Sequence, residues 1–471
     1  MSVLREVAPL AVQKGTNNTN NTTVKRLVPL LNLCSQLTAI FDCQMLELGH
    51  VDYKDYVFNV RLAKLLGLCQ MLHPNNVKYY GYNIYQLPII FGMLLMGITG
   101  CVCGLTGMYH WSNDLTQSFW MYTFLQNIIF VIYKLVVIFK NSDDIWECLH
   151  VVSFDFLSYK FYDKSILKVW QTRTIRFTYI ISVALIMTTV VWFVSPLIIS
   201  DNYIKIRNHD GSYDSYRLSL FNLYFMVSTD VYNEYFSIFY IVETLIVFLY
   251  ASLLVLSNIV IISLCTAIVG QLETINKGLE NFEQNHINIQ EQGMSNDYNL
   301  IGGRPEGKRA IKIQKYLKII LSDHQKVIKK LETFYKIIGK LILMEFFVFW
   351  ANAVFTLFVV ALNYYRNEIV DTVQTFKMII GFAVFVFNLF MTCSLCTAIN
   401  DEKEAIIFAL YSTGWTEMDM ESKRTVLLAM NMNNANNLCL RFTKDKLVDL
   451  NLFLKSIKLC YSIVSFLKNY A

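Results

Sequence analysis

Three ionisable side chains lie inside long apolar runs of this sequence: Lys134, Glu243 and Glu345. A charged group in an apolar setting is costly, so such residues are candidates for function by default. We expect Lys134 and Glu345 to lie at similar depth near the inner ends of their helices, where they could form a structural pair. Glu243 falls nearer the outer end of its helix, where it could contact an outer loop, the rim of a pocket, or the amine of a ligand.

No set of residues typical of an enzyme accompanies these charges. The seven histidines are scattered, and the sequence contains no Walker motif, nucleotide-binding fingerprint or cluster of metal-ligating side chains. We therefore expect no enzymatic activity, no metal and no cofactor, and we expect no nucleic acid among the partners.

The apolar runs themselves indicate a membrane protein. Hydrophobic residues make up 55% of the 471 residues and charged residues 16%, whereas soluble domains carry roughly a quarter charged residues. A helix needs about 20 apolar residues to cross the hydrocarbon core. A more amphipathic segment, 447–467, is the candidate seventh span, and six segments meet the standard clearly: 82–107, 119–139, 177–199, 237–265, 338–362 and 376–396.

The distribution of lysine and arginine predicts the orientation, because these residues favour the cytoplasmic side. Three connections carry few of them: none in 109–118, three in 200–236 and two in 364–377. The other regions carry many: eight in 1–81, six in 140–176, twelve in 270–340 and six in 397–446. The sequence therefore predicts an all-α membrane protein with seven transmembrane helices, a cytosolic amino terminus and an extracellular carboxyl terminus.

This orientation argues against a G-protein-coupled receptor, whose amino terminus lies outside the cell. The chain also lacks an Asp/Glu-Arg-Tyr triplet after the third span and an Asn-Pro-x-x-Tyr sequence in the seventh. A metabotropic receptor and a transporter remain the weaker alternatives, and the transporter reading would need paired broken helices.

The cytosolic regions are predicted to be large. Residues 1–81 form an amino-terminal region, of which 1–25 is polar and predicted to be disordered. The apolar stretch 27–47 is interrupted by Pro29, Asp42 and Glu47, which favours an interfacial or cytosolic helix, with an eighth span as the alternative. The predicted seven-helix transmembrane domain, 82–467, contains a cytosolic insert at 270–337. The polar, Gly-rich part of this insert, 283–308, is predicted to be disordered. Helical periodicity returns after this part and should continue into the fifth span, and 400–440 is predicted as a further cytosolic helix.

The last seventy residues contain a distinctive set of spaced residues: Tyr411, Trp415, Lys423–Arg424 before "TVLLAMNM", Phe442, Leu450, Phe453 and Tyr461–Ser462. Two further stretches are "DHQKVIKKLE" at 323–332 and "YVFNVRLAKLLGLCQ" at 56–70. In these residues the chain resembles insect odorant receptors, and the resemblance covers roughly residues 50–471.

The resemblance implies a tetrameric, odorant-gated, non-selective cation channel in the plasma membrane, in sensory neuron dendrites. The ligand would be a small volatile odorant, and the protein would also contact membrane lipid. A cytosolic anchor of helix extensions would hold the subunits together. Because the chain differs from the co-receptor subunit, it is similar to an odour-tuning subunit, which implies a heterotetramer with a co-receptor, although a homotetramer is possible. A gustatory receptor is the alternative, but it should carry a Thr-Tyr…Gln-Phe type motif that "CYSIVSFL" lacks.

The last helix, 447–468, is the predicted pore-lining helix. At about 100° per residue, Lys455 lies opposite Val464, whereas one face within about 60° of Val464 holds Ile457, Cys460, Tyr461, Leu467 and Lys468. The resemblance puts the gate at Val464, with Leu467 one turn outward, and an apolar ring there can gate by dewetting. Lys468 lies at the outer mouth, where its charge would repel cations. Ordinary packing against neighbouring helices is the alternative explanation of this face.

The ligand site is implied by the resemblance and lies in the outer half of the membrane, between the second, third, fourth and sixth spans. The residues that map there are Tyr122, Phe124 and Leu125, then Leu185, Thr188 and Trp192 on one helix face, then Val242 and Ile246, and finally Gly381 and Val384. The family favours tyrosine at the positions of Gly381 and Val384, which implies a roomier pocket here. The alternative is that these residues serve plain helix packing.

Overall fold

The computed structural model describes residues 55–198, 203–282, 305–366, 369–435, 438–443 and 446–470. The predictions for 1–25, 27–47 and most of the insert 283–308 lie outside these residues. The helices of the described chain, numbered in order, are α1 (Val60–Leu65), α2 (Leu68–Leu72), α3 (Leu87–His110), α4 (Leu115–Lys140), α5 (Ser142–Leu149), α6 (Lys164–Ile198), α7 (Thr229–Glu234), α8 (Phe236–Glu280), α9 (Pro305–Arg366), α10 (Ile369–Tyr411), α11 (Met420–Ala435) and α12 (Leu450–Tyr470).

Six helices of the described chain are long and apolar enough to cross a membrane: α3, α4, α6, α8, α9 and α10. They coincide with the six clearly predicted spans. The last helix, α12, has 21 residues, which is close to the length of about 20 that a span requires. The prediction of an all-α membrane fold is confirmed.

Helix α8 is the centre of the subunit. It packs against α4, α6, α9 and α10, and 67% of its most apolar stretch is buried, against 22% for α6. Its residues from Leu253 to Leu272 are almost all buried. By contrast, α3 exposes large side chains such as Phe91 and Leu94 on its outer face. An apolar exposed face suits contact with lipid, whereas the buried α8 can carry polar groups only where they find partners.

Outside the apolar spans the helices differ from the prediction at two places. Helix α9 runs for 62 residues without a break, as its periodicity indicated, but it begins at Pro305, inside the insert predicted to end at 308. Proline is tolerated there because the N–H groups of the first helical turn have no acceptor within the helix, so the N–H that proline lacks is not needed. The helix predicted over 400–440 is two helices, because the chain turns at Gly414, whose φ of 67° is in the left-handed region.

Three short antiparallel hairpins join the helices: β1 (Lys78–Tyr79) with β2 (Tyr82–Asn83), β3 (Tyr203–Arg207) with β4 (Tyr213–Arg217), and β5 (Arg441–Thr443) with β6 (Lys446–Leu447). In the β3–β4 hairpin alternate residues are buried, so Ile204, Ile206 and Tyr216 face the protein. This hairpin leads into the segment 218–228, which lies at the same end of the subunit as the first turns of α4 and α8.

Candidate ligand-binding cavity

One cavity of about 120 Å³ lies between α4, α6, α8, α9 and α10. Its wall is almost entirely apolar and includes side chains from all five helices. A sixth contribution comes from Phe221, which belongs to the segment between β4 and α7. Enclosed apolar cavities of this kind bind small molecules through dispersion and burial, with a few polar groups to orient them.

Aromatic rings close the outer end of the cavity. The ring of Phe221 lies 4.9 Å from that of Trp192, 5.7 Å from that of Trp120 and 4.5 Å from that of Phe124, measured between centroids. The two indoles lie 5.8 Å apart. Offset and edge-on arrangements at these distances are favourable, so the rings stabilise one another while presenting apolar faces to the cavity.

Glu243 holds the segment that carries Phe221. Its Oε2 accepts hydrogen bonds from Ser219 Oγ at 2.7 Å and from the Phe221 N–H at 2.8 Å, and its Oε1 accepts one from the Leu223 N–H at 2.7 Å. The side chain is completely buried. Three charge-assisted bonds offset the cost of burying the carboxylate. Of the roles considered for Glu243, the outer-loop contact is the one observed; both carboxylate oxygens are occupied and the residue does not line the cavity, so it does not orient an amine.

Two further bonds fix the same segment. Lys377, also buried, donates from Nζ to the Ser219 carbonyl at 3.1 Å, and Trp120 donates from Nε1 to the Phe221 carbonyl at 3.0 Å. Asn222 adopts a positive φ of 52° within this turn. The roof of the cavity is therefore bonded to α4, α8 and α10 at once.

The opposite end of the cavity is polar. Asn127, Asn258, Asn352 and Asn388 all line it, each from a different helix. Asn352 Nδ2 donates to Asn127 Oδ1 at 3.0 Å, while Asn352 Oδ1 has no hydrogen-bond partner among the described residues. In the wall above them, Trp192 Nε1 and Tyr250 Oη likewise have no partner in the described part of the chain.

Lys134 and Glu345 lie behind this asparagine layer, but they do not form the direct ion pair considered from the sequence. Lys134 Nζ donates to Asn258 Oδ1 at 3.0 Å, and Glu345 Oε1 accepts a short hydrogen bond from Asn388 Nδ2. No salt bridge joins the two charges within the described residues.

Seven of the ten predicted ligand-binding residues line the cavity: Phe124, Leu185, Thr188, Trp192, Ile246, Gly381 and Val384. The other three do not. Tyr122 packs against Phe355, with ring centroids 4.7 Å apart, and Leu125 faces α3, where it contacts Gly104. Val242 is partly buried elsewhere in the core. On α4 the reason is rotation about the helix axis, since Tyr122 and Leu125 leave the helix about 160° and 100° away from Phe124.

The space beside Gly381 is filled, whereas the resemblance implied a roomier pocket at this position. A Cβ built on Gly381 would lie 3.3 Å from Trp192 Cζ2, so the indole fills the space that a side chain at this position would take. The absence of a side chain at 381 therefore does not simply enlarge the cavity; it makes room for Trp192.

The lining residues that sequence reasoning missed include Trp120, Asn127, Asn352 and Phe221, as well as Asn258 and Asn388. Helical spacing could have found the first two, because Trp120, Phe124 and Asn127 lie at i, i+4 and i+7 on one face of α4. Asn352 could have been noticed as an amide within an apolar span. Phe221 has no such signal, because it belongs to a loop that reaches the cavity only through its bonds to Glu243.

The predicted pore face is only partly within the described side chains. Tyr461 is 73% exposed, Ile457 is partly buried, and Cys460 is buried against the rest of the subunit. The side chains of Val464, Leu467 and Lys468 lie outside the described part, although their backbone belongs to α12. Helix α12 packs against α9 and α10, with the rings of Phe390 and Phe453 5.6 Å apart.

Comparisons with known proteins agree on one family. A family model described as 7tm odorant receptor matches residues 113–461. Two solved structures of the insect olfactory receptor OR5 from Machilis hrabei, one of them in complex with eugenol, have TM-scores of 0.65 and 0.64 to this chain at 13% identity. They cover 87% and 88% of this chain and 97% of that receptor. No curated protein matches the sequence. At this identity the two structures establish a common fold.

Proposed function

The chain belongs to the odorant receptor family, and from this premise we propose that it is an odour-tuning subunit of an odorant-gated, non-selective cation channel. The protein is a multi-pass membrane receptor of olfaction, and it is not an enzyme. Because the family match is to odorant receptors, the gustatory alternative is set aside. We place the protein in the plasma membrane of sensory neuron dendrites.

The cavity roofed by Phe221 is the observation that carries this proposal. Its walls come from the second, third, fourth, fifth and sixth spans, so an occupant touches most of the helices that would have to move during gating. Small volatile molecules have few polar groups and gain affinity mainly from burial and dispersion, which this wall supplies. The related receptor solved in complex with eugenol supports a small odorant as the ligand class.

Exposed apolar side chains on the cytosolic helices support assembly. Phe408 is 78% exposed, Tyr411 67%, Met420 66% and Leu428 59%. These residues lie beyond the predicted spans, so lipid does not account for them, and an apolar surface in water indicates contact with another protein. The proposed contact is with neighbouring subunits of a tetramer, with a co-receptor as the partner and a homotetramer as the alternative.

Helix α12 is proposed to line the central pore. It is the last helix, it packs on α9 and α10, and its free face is exposed at Tyr461. Val464 is proposed as the gate, with Leu467 one turn outward and Lys468 at the outer mouth. Residues Ile457 and Cys460 belong to the same predicted stripe, of which Cys460 is buried against its own subunit.

The test is to express the chain with and without a co-receptor and to record currents against a panel of odorants while G-protein signalling is blocked. We expect currents of mixed cation selectivity that persist under the block, because the ligand opens the pore directly. Currents that vanish under the block would contradict the channel proposal and favour a metabotropic receptor.

A further inference from the structure

We propose that the cavity selects odorants that carry one hydroxyl group at the end of an apolar body, and that Asn352 binds this hydroxyl. The inference rests on the proposed function, since it names the class of ligand for the same cavity. It is carried by the order of polar and apolar residues along the wall and by the hydrogen bonds of the asparagines.

The polar residues are gathered at one end. In the predicted orientation α8 and α10 run inward, and their innermost lining residues are Asn258 and Asn388. On α4, which also runs inward, Asn127 is followed only by Ile128. Helix α9 runs outward, and there Asn352 is the first lining residue. The four amides therefore form a polar floor at the inner end of an otherwise apolar cavity.

At the outer end the wall consists of aromatic rings, and the indole N–H of Trp192, which has no partner among the described residues, is a donor and cannot accept the hydrogen of a hydroxyl. Trp120, Trp192 and Phe221 close this end, and Ile246 is the outermost lining residue of α8. Seven residues separate Trp120 from Asn127 and twelve separate Ile246 from Asn258, which corresponds to about 10 Å and about 18 Å along the helices. A ligand of up to about this shorter length can therefore lie with its apolar body against the aromatic rings and its polar group at the floor.

Each of the four floor amides is engaged through one of its two polar atoms. Asn258 Oδ1 accepts from Lys134, Asn388 Nδ2 donates to Glu345, and Asn127 Oδ1 accepts from Asn352 Nδ2. Asn352 Oδ1 remains without a partner among the described residues, although the side chain is only 3% exposed. A buried acceptor without a donor is costly, so a ligand that donates a hydrogen bond here gains what the empty site loses.

The donor that fits is a neutral hydroxyl. An ether or ester oxygen has no hydrogen to donate and would place one acceptor against another. A protonated amine could donate, but it would have to lose its hydration in an apolar cavity. The two buried charges behind the floor, Lys134 at Asn258 and Glu345 at Asn388, have opposite signs, so they do not favour a cation over a neutral ligand. A neutral hydroxyl can donate a hydrogen bond to Asn352 and has no charge whose hydration must be lost.

The experiment uses pairs of isomers that differ only in the hydroxyl: octanol with methoxyheptane, and para-ethylphenol with para-methylanisole. Currents are recorded from the full channel, and half-maximal concentrations are compared within each pair. We expect the alcohol or phenol to act at about ten-fold lower concentration than its ether, because one lost hydrogen bond to a buried acceptor has this magnitude. In Asn352→Leu, which is similar in size and apolar, the preference should disappear, mainly through weaker responses to the hydroxyl compounds.

Two variants keep the result interpretable. Asn352→Thr retains an acceptor on α9 and should keep part of the preference, which separates loss of the acceptor from loss of folding. Asn75→Leu makes the same exchange as Asn352→Leu on an exposed turn far along the chain, and it should behave as the natural protein. Surface expression of each variant is measured in parallel.

Failure of this inference differs from failure of the proposed function. If ethers act as strongly as their hydroxyl isomers, or if only hydrocarbons open the channel, the hydroxyl site is wrong while the channel proposal stands. Unchanged selectivity in Asn352→Leu would also overturn it, and would mean that water satisfies Asn352. A receptor that opens no current with any odorant would overturn both.

Discussion

The carboxylate of Glu243 accepts a hydrogen bond from the backbone N–H of Phe221 at 2.8 Å. Through this contact a residue of the fourth span determines where the aromatic roof of the cavity lies. The ring of Phe221 then packs against Trp192 at 4.9 Å. A buried charge therefore fixes the shape of an apolar site that it does not itself enter.

We expect Glu243→Gln to loosen this roof. The amide has one acceptor oxygen and adds two donors, so at least one of the three bonds from Ser219, Phe221 and Leu223 is lost and a donor is left facing N–H groups. The stability of the protein should fall by about 1–3 kcal/mol, and odorant sensitivity should fall with it. Thermal unfolding in detergent and dose–response currents measure the two effects. Glu234→Gln, an exposed change near the same loop, is the control, and equal behaviour of the two variants would contradict this role.

Trp192→Ala should change the odour profile without preventing assembly. The indole contacts Trp120, Phe221 and the position of Gly381, so its removal enlarges the cavity and removes apolar contact with any ligand. Small ligands should lose at least about ten-fold in sensitivity, whereas bulkier ligands should lose less. Trp192→Phe, which keeps a ring, should fall between. An unaltered odour panel in Trp192→Ala would speak against the cavity as the binding site.

Gly381→Ala tests whether Trp192 occupies the space beside this glycine. The new Cβ would lie 3.3 Å from Trp192 Cζ2, which is closer than ordinary contact, so the indole must shift into the cavity. We expect weaker responses to large odorants. The double variant with Trp192→Phe should recover part of the loss, because the smaller ring leaves room for the methyl group. Additive losses in the double variant would show that the two positions do not interact.

Lys468→Gln should raise the cation conductance. Several lysines at the outer mouth of a pore repel cations, and removing the charge removes this barrier. Lys455→Gln, on the opposite side of α12 by helical spacing, is the matched control and should leave conductance unchanged. Single-channel currents at equal surface expression decide the matter, and either no change or a decrease in Lys468→Gln would contradict the pore assignment of this face.

Phe408→Ser should weaken the tetramer. The side chain is 78% exposed in the isolated subunit, on a part of α10 beyond the predicted span. Replacing it should lower the fraction of tetramer in detergent, as measured by native mass spectrometry, if subunits meet there. Val77→Ser removes a similarly exposed apolar side chain elsewhere, 72% exposed, and should leave the tetramer intact. Equal fractions of tetramer in both variants would place the subunit contact away from Phe408.

The helix face was predicted better than the residues that complete the cavity. Leu185, Thr188 and Trp192 share a face by spacing alone, and all three line the cavity. Tyr122 and Leu125 were mapped to the site through the family resemblance, but they leave α4 in other directions than Phe124 because successive residues in a helix point about 100° apart. Phe221 was missed because its position depends on hydrogen bonds to Glu243, a residue that follows it by 22 positions.

The sequence by itself determined the six apolar spans, the long helix that continues into the fifth span, and the family. The spans and the long helix follow from local properties, namely the length and period of apolar runs, which any helix in a membrane must satisfy on its own. The family followed instead from a resemblance carried by particular residues, such as Tyr411 and Trp415. The tertiary structure decided which polar group meets which. Lys134 binds Asn258 instead of Glu345, Glu243 binds the loop that carries Phe221, and Asn352 Oδ1 has no partner within the described part of the chain. Such partners come from distant parts of the chain, and a difference of one residue in helix rotation is enough to exchange them.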